Sequence, residues 1–427
     1  MSATANLLRR LVESIADRGR ALLDGFSHVP LEQLCDELVS ERGEAAGAAI
    51  AQEILRRYTT FTDEQRLRFF DSLLAKKWLA PPDQILTLAQ AYHAKPNATE
   101  LAALVTAVEP RRQDFFRRLN MGPRGTESIV KMREDLLLLL PDQPQLEPVN
   151  GDLVHLLSSW FNRGFLEIRR IDWRTPALIL EKLIKYESVH EIRGWPDLRR
   201  RLERDRRCFA FFHAALPDDP LIFVEVALTK GAARAIQPLI DLDNPPSDPA
   251  AADTAVFYSI NNCLEGLRNI SFGAFLIKQV VQELQAEGLD LKHFVTLSPI
   301  PRFNEWLKTQ PGTRPISKTA LMKFTERDAT RKMLLRECVQ YLTARREDGR
   351  ALDPVAAFHL NNGASIERIN WLGDVSEKGL KQAYGLMVNY AYRPARIERN
   401  HEQYVKQGRA AMSEDVRSLL GDVNAKG

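Results

Sequence analysis

A glycine-bearing turn between a predicted strand and a predicted helix is the strongest sign of a binding site. The strand ends near Ile260, and the turn that follows contains Gly266, Arg268, Asn269 and Gly273. A helix that begins after such a turn presents unpaired backbone N–H groups and the positive end of its dipole, which together favour a pyrophosphate. The spacing matches neither the dinucleotide pattern GxGxxG nor the P-loop. The turn therefore indicates either an anion site or an ordinary connection whose glycine only relieves the backbone.

Ser298 is the first candidate for catalysis. It follows a predicted strand from His293 to Leu297 and directly precedes Pro299. A residue before proline is pushed towards extended backbone, and Pro301 stiffens the turn further. The hydroxyl is thus held where it either meets a ligand or caps the helix that follows.

His359 is the second candidate. It closes an apolar run and precedes the segment Asn361 to Gly363, for which we expect a hairpin-type turn. A histidine suits proton transfer, because its reference pKa of about 6.5 lies near physiological pH. A lone histidine at a strand end is, however, more often a structural residue. His213 and His293 also flank predicted strands and compete with it.

Composition and motif content exclude several classes of function. The 427 residues carry a net charge of only +3, which is small for a protein that binds nucleic acid. The four cysteines form no CxxC pair, which argues against a zinc site or a disulfide scaffold and indicates a reducing compartment. The sequence contains no HExxH, no GxSxG elbow and no spaced carboxylate cluster. Neither a metal site nor a Ser-His-Asp triad is therefore predicted.

The location is expected to be the cytoplasm. No run of about 18 apolar residues is present, so we expect no membrane span. The N-terminal segment has helical periodicity and several arginines, but Glu13 and Asp17 count against a mitochondrial presequence, which is usually poor in acids.

The hydrophobic pattern divides the chain into a helical and a mixed part. Residues 1 to about 140 show apolar side chains at helical spacing, and Asn97 is the expected N-cap of a helix from Leu101 to Val108. A polar, proline-rich connector follows from Pro141 to Gly151. After Gly164 the pattern predicts strands at Cys208–His213, Leu221–Thr229, Thr254–Ile260, His293–Leu297 and Ser365–Leu372, the first two as a hairpin. Helices are expected at Phe275–Leu284, at Thr330–Leu342 and beyond Arg396. We therefore expect an α+β protein, with an all-helical bundle over residues 1–162 and a mixed α/β domain over residues 163–427.

Three segments, in this order, resemble the malonyl-CoA decarboxylase family: FYSI…GLRNISFGAFLIKQVVQEL, TLSPIPRFNEWL, and FHLNNGASIERINWLGDVSEKGL…GLMVNYAY. The stretches LIFVEVALT and WFNRGFLEIRRIDWRTP also fit, so the resemblance covers most of residues 155–392. The turn by itself resembles the pyrophosphate loop of GNAT-type acyltransferases, R/Q-x-x-G-x-G/A. Arg268 and Gly273 match the ends of that pattern, and Ser271 replaces its first glycine.

The resemblance implies a helical domain that mediates oligomerisation, with a homotetramer as the expected assembly, and a C-terminal domain with a GNAT-like fold. It implies conversion of malonyl-CoA to acetyl-CoA and carbon dioxide, without a metal or an organic prosthetic group, because coenzyme A is part of the substrate. The family's catalytic serine and histidine fall on Ser298 and His359, and a tyrosine near the site falls on Tyr392. The family's CoA loop falls on Arg268, Asn269, Ile270, Ser271, Phe272, Gly273 and Ala274. Some members carry a glutamate where this chain has Ser271, and Glu265 is the substitute that we consider.

The resemblance also suggests a division of labour. Ser298 would hydrogen-bond and orient the malonyl group while His359 donates a proton to the α-carbon, or the two would act as a dyad that passes a proton between them. Backbone N–H groups would stabilise the thioester oxygen as charge moves onto it. Two alternatives stay open: a GNAT-type acyl-CoA transferase on the same scaffold, which requires an acceptor, and a non-catalytic helical interaction protein whose C-terminal domain only senses acyl-CoA.

Overall fold

The computed structural model describes residues 26–40, 44–270, 275–311, 316–347, 349 and 351–421. It divides into two compact units. The first comprises Met1–Phe165 with the short segments Ala214–Leu216 and Leu264–Ser271, and the second comprises Leu166–His213, Pro217–Cys263 and Phe272–Gly427. The expected division of the chain at residue 162 stays a prediction.

The described part of the first unit is mainly helical, as predicted, and the helical pattern predicted for residues 1–25 lies outside the described residues. Its helices within the described ranges are α1 (Leu31–Leu38), α2 (Glu44–Tyr58), α3 (Asp63–Ser72), α4 (Pro82–Ala94), α5 (Ala98–Val108), α6 (Arg111–Leu119), α7 (Gly125–Leu139) and α8 (Glu147–Trp160). The side chain of Asn97 accepts the N–H groups of Thr99 and Glu100, so the expected N-cap of α5 is confirmed. A buried ion pair of 2.7 Å between Arg112 and Asp152 joins α6 to α8.

The predicted connector from Pro141 to Gly151 is wrong in its second half. Helix α8 already begins at Glu147, directly after a short 3-10 turn. Pro148 lies in the first turn of α8, where the N–H that proline lacks would have no helical partner anyway. The proline therefore marks the start of a helix rather than a loop.

The second unit contains a mixed sheet. Among the described residues its strands are β1 (Leu166–Ile171), β2 (Arg206–His213), β3 (Ile222–Thr229), β4 (Thr254–Asn262), β5 (His293–Thr296), β6 (Ser298–Pro299), β7 (Ser365–Asn370) and β8 (Met387–Tyr392). The order is β1-β2-β3-β4-β5-β8-β6, and β7 also pairs with β8. The β4–β5 pair is parallel and all other pairs are antiparallel. The β2–β3 hairpin is confirmed, whereas β1, β6 and β8 were not predicted.

Helices surround this sheet in the second unit. They are α9 (Ala177–Tyr186), α10 (Trp195–Arg201), α11 (Gln237–Ile240), α12 (Phe275–Ala286), α13 (Phe303–Leu307), α14 (Lys318–Lys323), α15 (Ala329–Thr343), α16 (Pro354–Asn361), α17 (Glu377–Ala383), α18 (Ile397–Gln407) and α19 (Glu414–Ser418). Helix α12 connects the parallel strands β4 and β5, as a parallel pair requires. It buries the predicted apolar face, including Leu276, Val280 and Leu284. The expected fold class, a helical part followed by a mixed α/β part, is confirmed.

None of the helices in the described ranges combines the length and the apolar character that crossing a membrane demands.

Candidate active site

Ser298 lies where the parallel part of the sheet ends. Strand β5 stops at Thr296, and Ser298 begins β6, where it pairs with Val388 of β8. This is the extended backbone that Pro299 favours. The side chain is buried. Helix α13 begins five residues later at Phe303 with Arg302 as its N-cap and without a side-chain cap, so the helix-capping alternative for Ser298 is wrong.

His359 lies on a helix, and the predicted hairpin-type turn after it is wrong. Helix α16 begins after Asp353, whose carboxylate accepts the N–H of Ala356 at 2.7 Å, and it ends at Asn361. Gly363 follows with a φ of +78°, and a Cβ built on it would lie 2.2 Å from the carbonyl oxygen of Ile397. The glycine thus terminates a helix instead of turning a hairpin. His359 itself is buried near the C-terminal end of α16, not at a strand end.

Ser298, His359 and Tyr392 form a continuous chain of hydrogen bonds. Ser298 Oγ lies 3.2 Å from His359 Nε2, and Tyr392 Oη lies 2.7 Å from His359 Nδ1. Ser298 Oγ also donates to Thr296 Oγ1 at 2.8 Å. The ring of Tyr390 stacks on the imidazole at a centroid distance of 4.5 Å and an angle of 26°. The three residues named from the sequence are therefore brought together, and both imidazole nitrogens have a hydroxyl partner.

Burial dominates the electrostatics of this cluster. Desolvation lowers the pKa of His359 from its usual value to about 3, so the imidazole is neutral at physiological pH. Burial also raises the pKa of Tyr392 well above its ordinary value, so the phenol keeps its proton. The reference pKa that made histidine a suitable proton donor in the sequence therefore does not apply to His359 at this buried position.

A cleft of about 270 Å³ borders the cluster within the second unit. It is lined by α12, the end of β8 and the start of α18, and Tyr392 forms part of its wall. Ile277 and Val281 supply apolar surface on the α12 side. An ion pair between Lys278 and Glu398 joins α12 to α18. Tyr392 is therefore the member of the cluster that lies nearest to this space.

The predicted phosphate turn is described only in part. Residues Ser271, Phe272, Gly273 and Ala274 lie outside the described ranges. Arg268 is about half exposed and forms a 3.6 Å ion pair with Glu265, which is itself exposed. Asn269 has a φ of +65°. Helix α12 begins at Phe275, so the predicted sequence of strand, turn and helix is confirmed at both ends.

Gly266 has a packing role in this turn. A Cβ on Gly266 would lie 2.0 Å from the carbonyl oxygen of Val130 on α7. Its own carbonyl oxygen accepts a hydrogen bond of 2.6 Å from buried Arg133. Close contact with a helix explains this glycine without a ligand, which is the ordinary alternative that the sequence left open.

Three residues near the cluster were missed from the sequence: Thr296, Tyr390 and Asp353. Thr296 and Tyr390 lie in short buried strands, where a polar side chain gives no local signal. Asp353 was recognisable, since an Asp-Pro pair before an apolar run is typical of a helix start. Within the described ranges, no group of three or more His, Cys, Asp or Glu side chains is arranged to hold a metal ion.

Comparisons with known proteins give the same family, malonyl-CoA decarboxylase, along most of the chain. Residues 164–426 match the model of the malonyl-CoA decarboxylase C-terminal domain, and residues 80–161 match that of the N-terminal domain. The mitochondrial malonyl-CoA decarboxylase of Rattus norvegicus is 33% identical over 439 residues, covering 92% of this chain and 86% of the relative. The crystal structure of malonyl-CoA decarboxylase from Agrobacterium vitis is similar with a TM-score of 0.83 and 48% identity, over 92% of this chain and 99% of that one. The crystal structure of malonyl-CoA decarboxylase from Rhodopseudomonas palustris is similar with a TM-score of 0.82 and 47% identity, over 91% of this chain and 98% of that one.

Proposed function

Because the chain belongs to the malonyl-CoA decarboxylase family, we propose that it converts malonyl-CoA to acetyl-CoA and carbon dioxide at Ser298, His359 and Tyr392. The hydrogen-bonded contact of Ser298 with His359 carries this assignment, since the two residues are 61 positions apart in the sequence yet share one buried site. Ser298 lies in one of the segments that resemble the family, and His359 lies in another.

The reaction breaks one carbon–carbon bond and forms one carbon–hydrogen bond. The electron pair of the breaking bond moves onto the thioester, carbon dioxide leaves, and the α-carbon then takes a proton. Donors aimed at the thioester oxygen stabilise the enolate between these steps. Strand β4 continues to Asn262, beyond its last parallel pair with β5 at Phe257. Alternate N–H groups of this extension point away from β3, and we assign them as the donors.

His359 supplies the proton as a neutral imidazole. Its lowered pKa leaves almost no imidazolium at physiological pH, so the donor is an imidazole N–H. When the hydrogen of the neutral ring is on Nε2, the hydroxyl of Tyr392 donates to Nδ1 and stabilises the charge that develops on the ring. The hydroxyl of Ser298 orients the malonyl carboxylate. Largely aromatic surroundings, such as buried Tyr390 and half-buried Phe358, favour loss of this carboxylate as neutral carbon dioxide.

The loop from Arg268 to Ala274 is the proposed site for the pyrophosphate of coenzyme A. Support comes from helix α12, whose N-terminus follows the loop directly, and from the half-exposed guanidinium of Arg268. Glu265 already pairs with Arg268, so it is an unsuitable substitute for the glutamate of some relatives. Gly273→Asp should weaken binding of coenzyme A through its bulk and charge, and unchanged affinity would remove the loop from the site.

An assay with malonyl-CoA alone tests the function. Without any acceptor, wild-type protein should form acetyl-CoA, identified by mass spectrometry of the CoA products. Ser298→Ala and His359→Asn should each retain CoA binding and lose most turnover. His293→Asn is the matched control, because His293 is exposed at the start of β5 and lies outside the cluster. Near-normal turnover in either cluster variant would remove that residue from the mechanism.

The same assay separates the two alternatives. A GNAT-type acyl-CoA transferase would turn over only after an acceptor is added. A non-catalytic sensor would bind acyl-CoA and give no product under either condition.

We also propose a homo-oligomer, a tetramer by resemblance, located in the cytoplasm. Helix α4 has no buried residue, and α5 buries only Ala107. Leu86 and Val105 are about 60% exposed on these two helices. Apolar surface of this kind favours association of identical chains. Light scattering should therefore give a mass above that of one chain, and Leu86→Lys with Val105→Lys should reduce it.

A further inference from the structure

Thr296, the last residue of β5, connects Ser298 to the backbone of β8. Its side chain is fully buried. Its Oγ1 accepts the N–H of Tyr390 at 3.1 Å and the hydroxyl of Ser298 at 2.8 Å. A hydroxyl oxygen has two acceptor lone pairs, so these two donors occupy both. Because the backbone N–H has a fixed direction, Tyr390 holds this oxygen in place.

The main chain of Thr296 is held as well. The side-chain amide of Asn389 donates to the carbonyl oxygen of Thr296 at 2.6 Å. Asn370 in turn donates to Asn389 at 2.8 Å. All three residues are buried. Thr296 is therefore fixed through both its backbone and its side chain, although it lies one residue away from a change of strand.

The direction of the Ser298 hydroxyl decides which nitrogen of His359 carries hydrogen. Ser298 has one hydroxyl proton, and with the hydrogen bond assigned from Ser298 Oγ to Thr296 Oγ1 this proton faces away from His359. The 3.2 Å contact between Ser298 Oγ and His359 Nε2 is then a hydrogen bond only if Nε2 carries the hydrogen. A neutral imidazole carries one such hydrogen, so Nδ1 must accept from Tyr392 at 2.7 Å. If Ser298 instead donated to Nε2, the hydrogen would lie on Nδ1.

We propose that Thr296 is a positioning residue that keeps the proton of His359 on Nε2, the nitrogen that faces Ser298. Thr296 acts through Ser298 and contacts no reacting atom. The inference rests on the proposed function, in which His359 gives this proton to the α-carbon. With the proton on Nδ1, the nitrogen beside Ser298 has nothing to donate.

Thr296→Val tests the proposal, because it removes the acceptor and keeps a β-branched side chain of similar volume. The hydroxyl of Ser298 should then turn to His359 Nε2 and shift the hydrogen to Nδ1. We expect kcat to fall by about 10- to 100-fold, part of the 10²–10⁴-fold that proton transfer by a positioned side chain contributes. KM should change little. Thr296→Ser keeps the hydroxyl and should restore both kcat and the tautomer.

Nitrogen-15 NMR of histidine-labelled protein reads the tautomer directly, with His359→Asn to assign the signals. Wild type and Thr296→Ser should show hydrogen on Nε2, and Thr296→Val should show it on Nδ1. Thr254→Val is the matched control, since Thr254 is equally buried at the start of β4 and its hydroxyl, among the described residues, bonds only to Asp253. If Thr296→Val does not fold, Thr296→Ala serves in its place.

Any of three results would overturn the positioning role. They are hydrogen on Nδ1 in the wild type, hydrogen on Nε2 in the Thr296→Val variant, and unchanged kcat in a folded Thr296→Val protein. The NMR measurement does not depend on turnover. An inactive wild type that shows the expected tautomers would therefore count against the proposed function and leave the positioning of His359 supported.

Discussion

Acidification should destabilise the protein through His359. The reference pKa of histidine is about 6.5, and burial lowers that of His359 to about 3. Between these values the unfolded chain takes up a proton that the folded state refuses, so this contribution is fully present above about pH 6.5 and is lost as the pH falls. Each pH unit below 6.5 costs about 1.4 kcal/mol. From pH 7 to pH 5, His359 should therefore reduce the free energy of unfolding by roughly 2 kcal/mol.

The comparison of wild type with His359→Asn isolates this contribution. His190 also has a pKa lowered by burial, to about 4, and burial raises the pKa of Glu225 to about 7. These groups titrate in both proteins, so their effects cancel in the difference. Urea unfolding at pH 7, 6 and 5 should show that the wild type loses roughly 2 kcal/mol more than the variant over this range.

Equal losses in the two proteins would refute the reasoning. A direct check is the NMR titration of the His359 ring, which should show no protonation between pH 8 and pH 5. A titration midpoint near 6.5 would mean that the imidazole is solvated or paired with a negative charge. In that case His359 would act as an imidazolium, and the neutral-donor mechanism would be wrong.

Four further variants probe the site and its frame. Tyr392→Phe keeps the ring and removes the hydroxyl that contacts His359 Nδ1. In a steady-state assay kcat should fall by about tenfold at unchanged KM, which corresponds to the loss of one hydrogen bond. Gly363→Ala introduces a Cβ where φ is +78° and where the carbonyl oxygen of Ile397 lies too close. The free energy of unfolding, measured in urea, should therefore fall by more than about 1 kcal/mol. Gly151→Ala in α8, where the added Cβ meets nothing within 4 Å, should instead stabilise by about 0.5–1 kcal/mol. Arg201→Ala leaves the fully buried carboxylate of Glu225 without its 2.8 Å partner and should cost about 3–5 kcal/mol of unfolding free energy.

Local patterns were sufficient for much of the fold. The apolar spacing of Leu276, Val280 and Leu284 predicted helix α12, and these side chains are buried. The two apolar runs around Pro217 and Pro220 predicted the β2–β3 hairpin, which pairs in antiparallel register. In both cases the residues that form the pattern also form the helix or hairpin, within one short stretch of chain. Periodicity and turn residues describe such stretches directly.

The arrangement of the candidate site was not accessible in this way. His359 meets Ser298 because β8 pairs with β6 on one side and with β7 on the other, and β8 itself was not predicted. Its six residues are all buried, so the strand has no alternation of polar and apolar side chains to reveal it. The lowered pKa of His359 likewise follows from burial by residues distant in sequence. The residue pattern named Ser298 and His359 as separate candidates, and only the resemblance to a family joined them in one site with Tyr392.

The partner of His359 Nδ1 explains why this Ser–His contact suits proton donation rather than nucleophilic attack. In a hydrolase triad a carboxylate accepts the Nδ1 hydrogen and stabilises the imidazolium that forms when serine loses its proton. Here the partner is the neutral hydroxyl of Tyr392, and burial lowers the pKa of His359 to about 3. Such an imidazole is a poor base, so it leaves Ser298 protonated and disfavours an acyl-enzyme. The N–H of His359 then remains available for the enolate carbon, while Ser298 keeps its hydroxyl proton and is not consumed as a nucleophile.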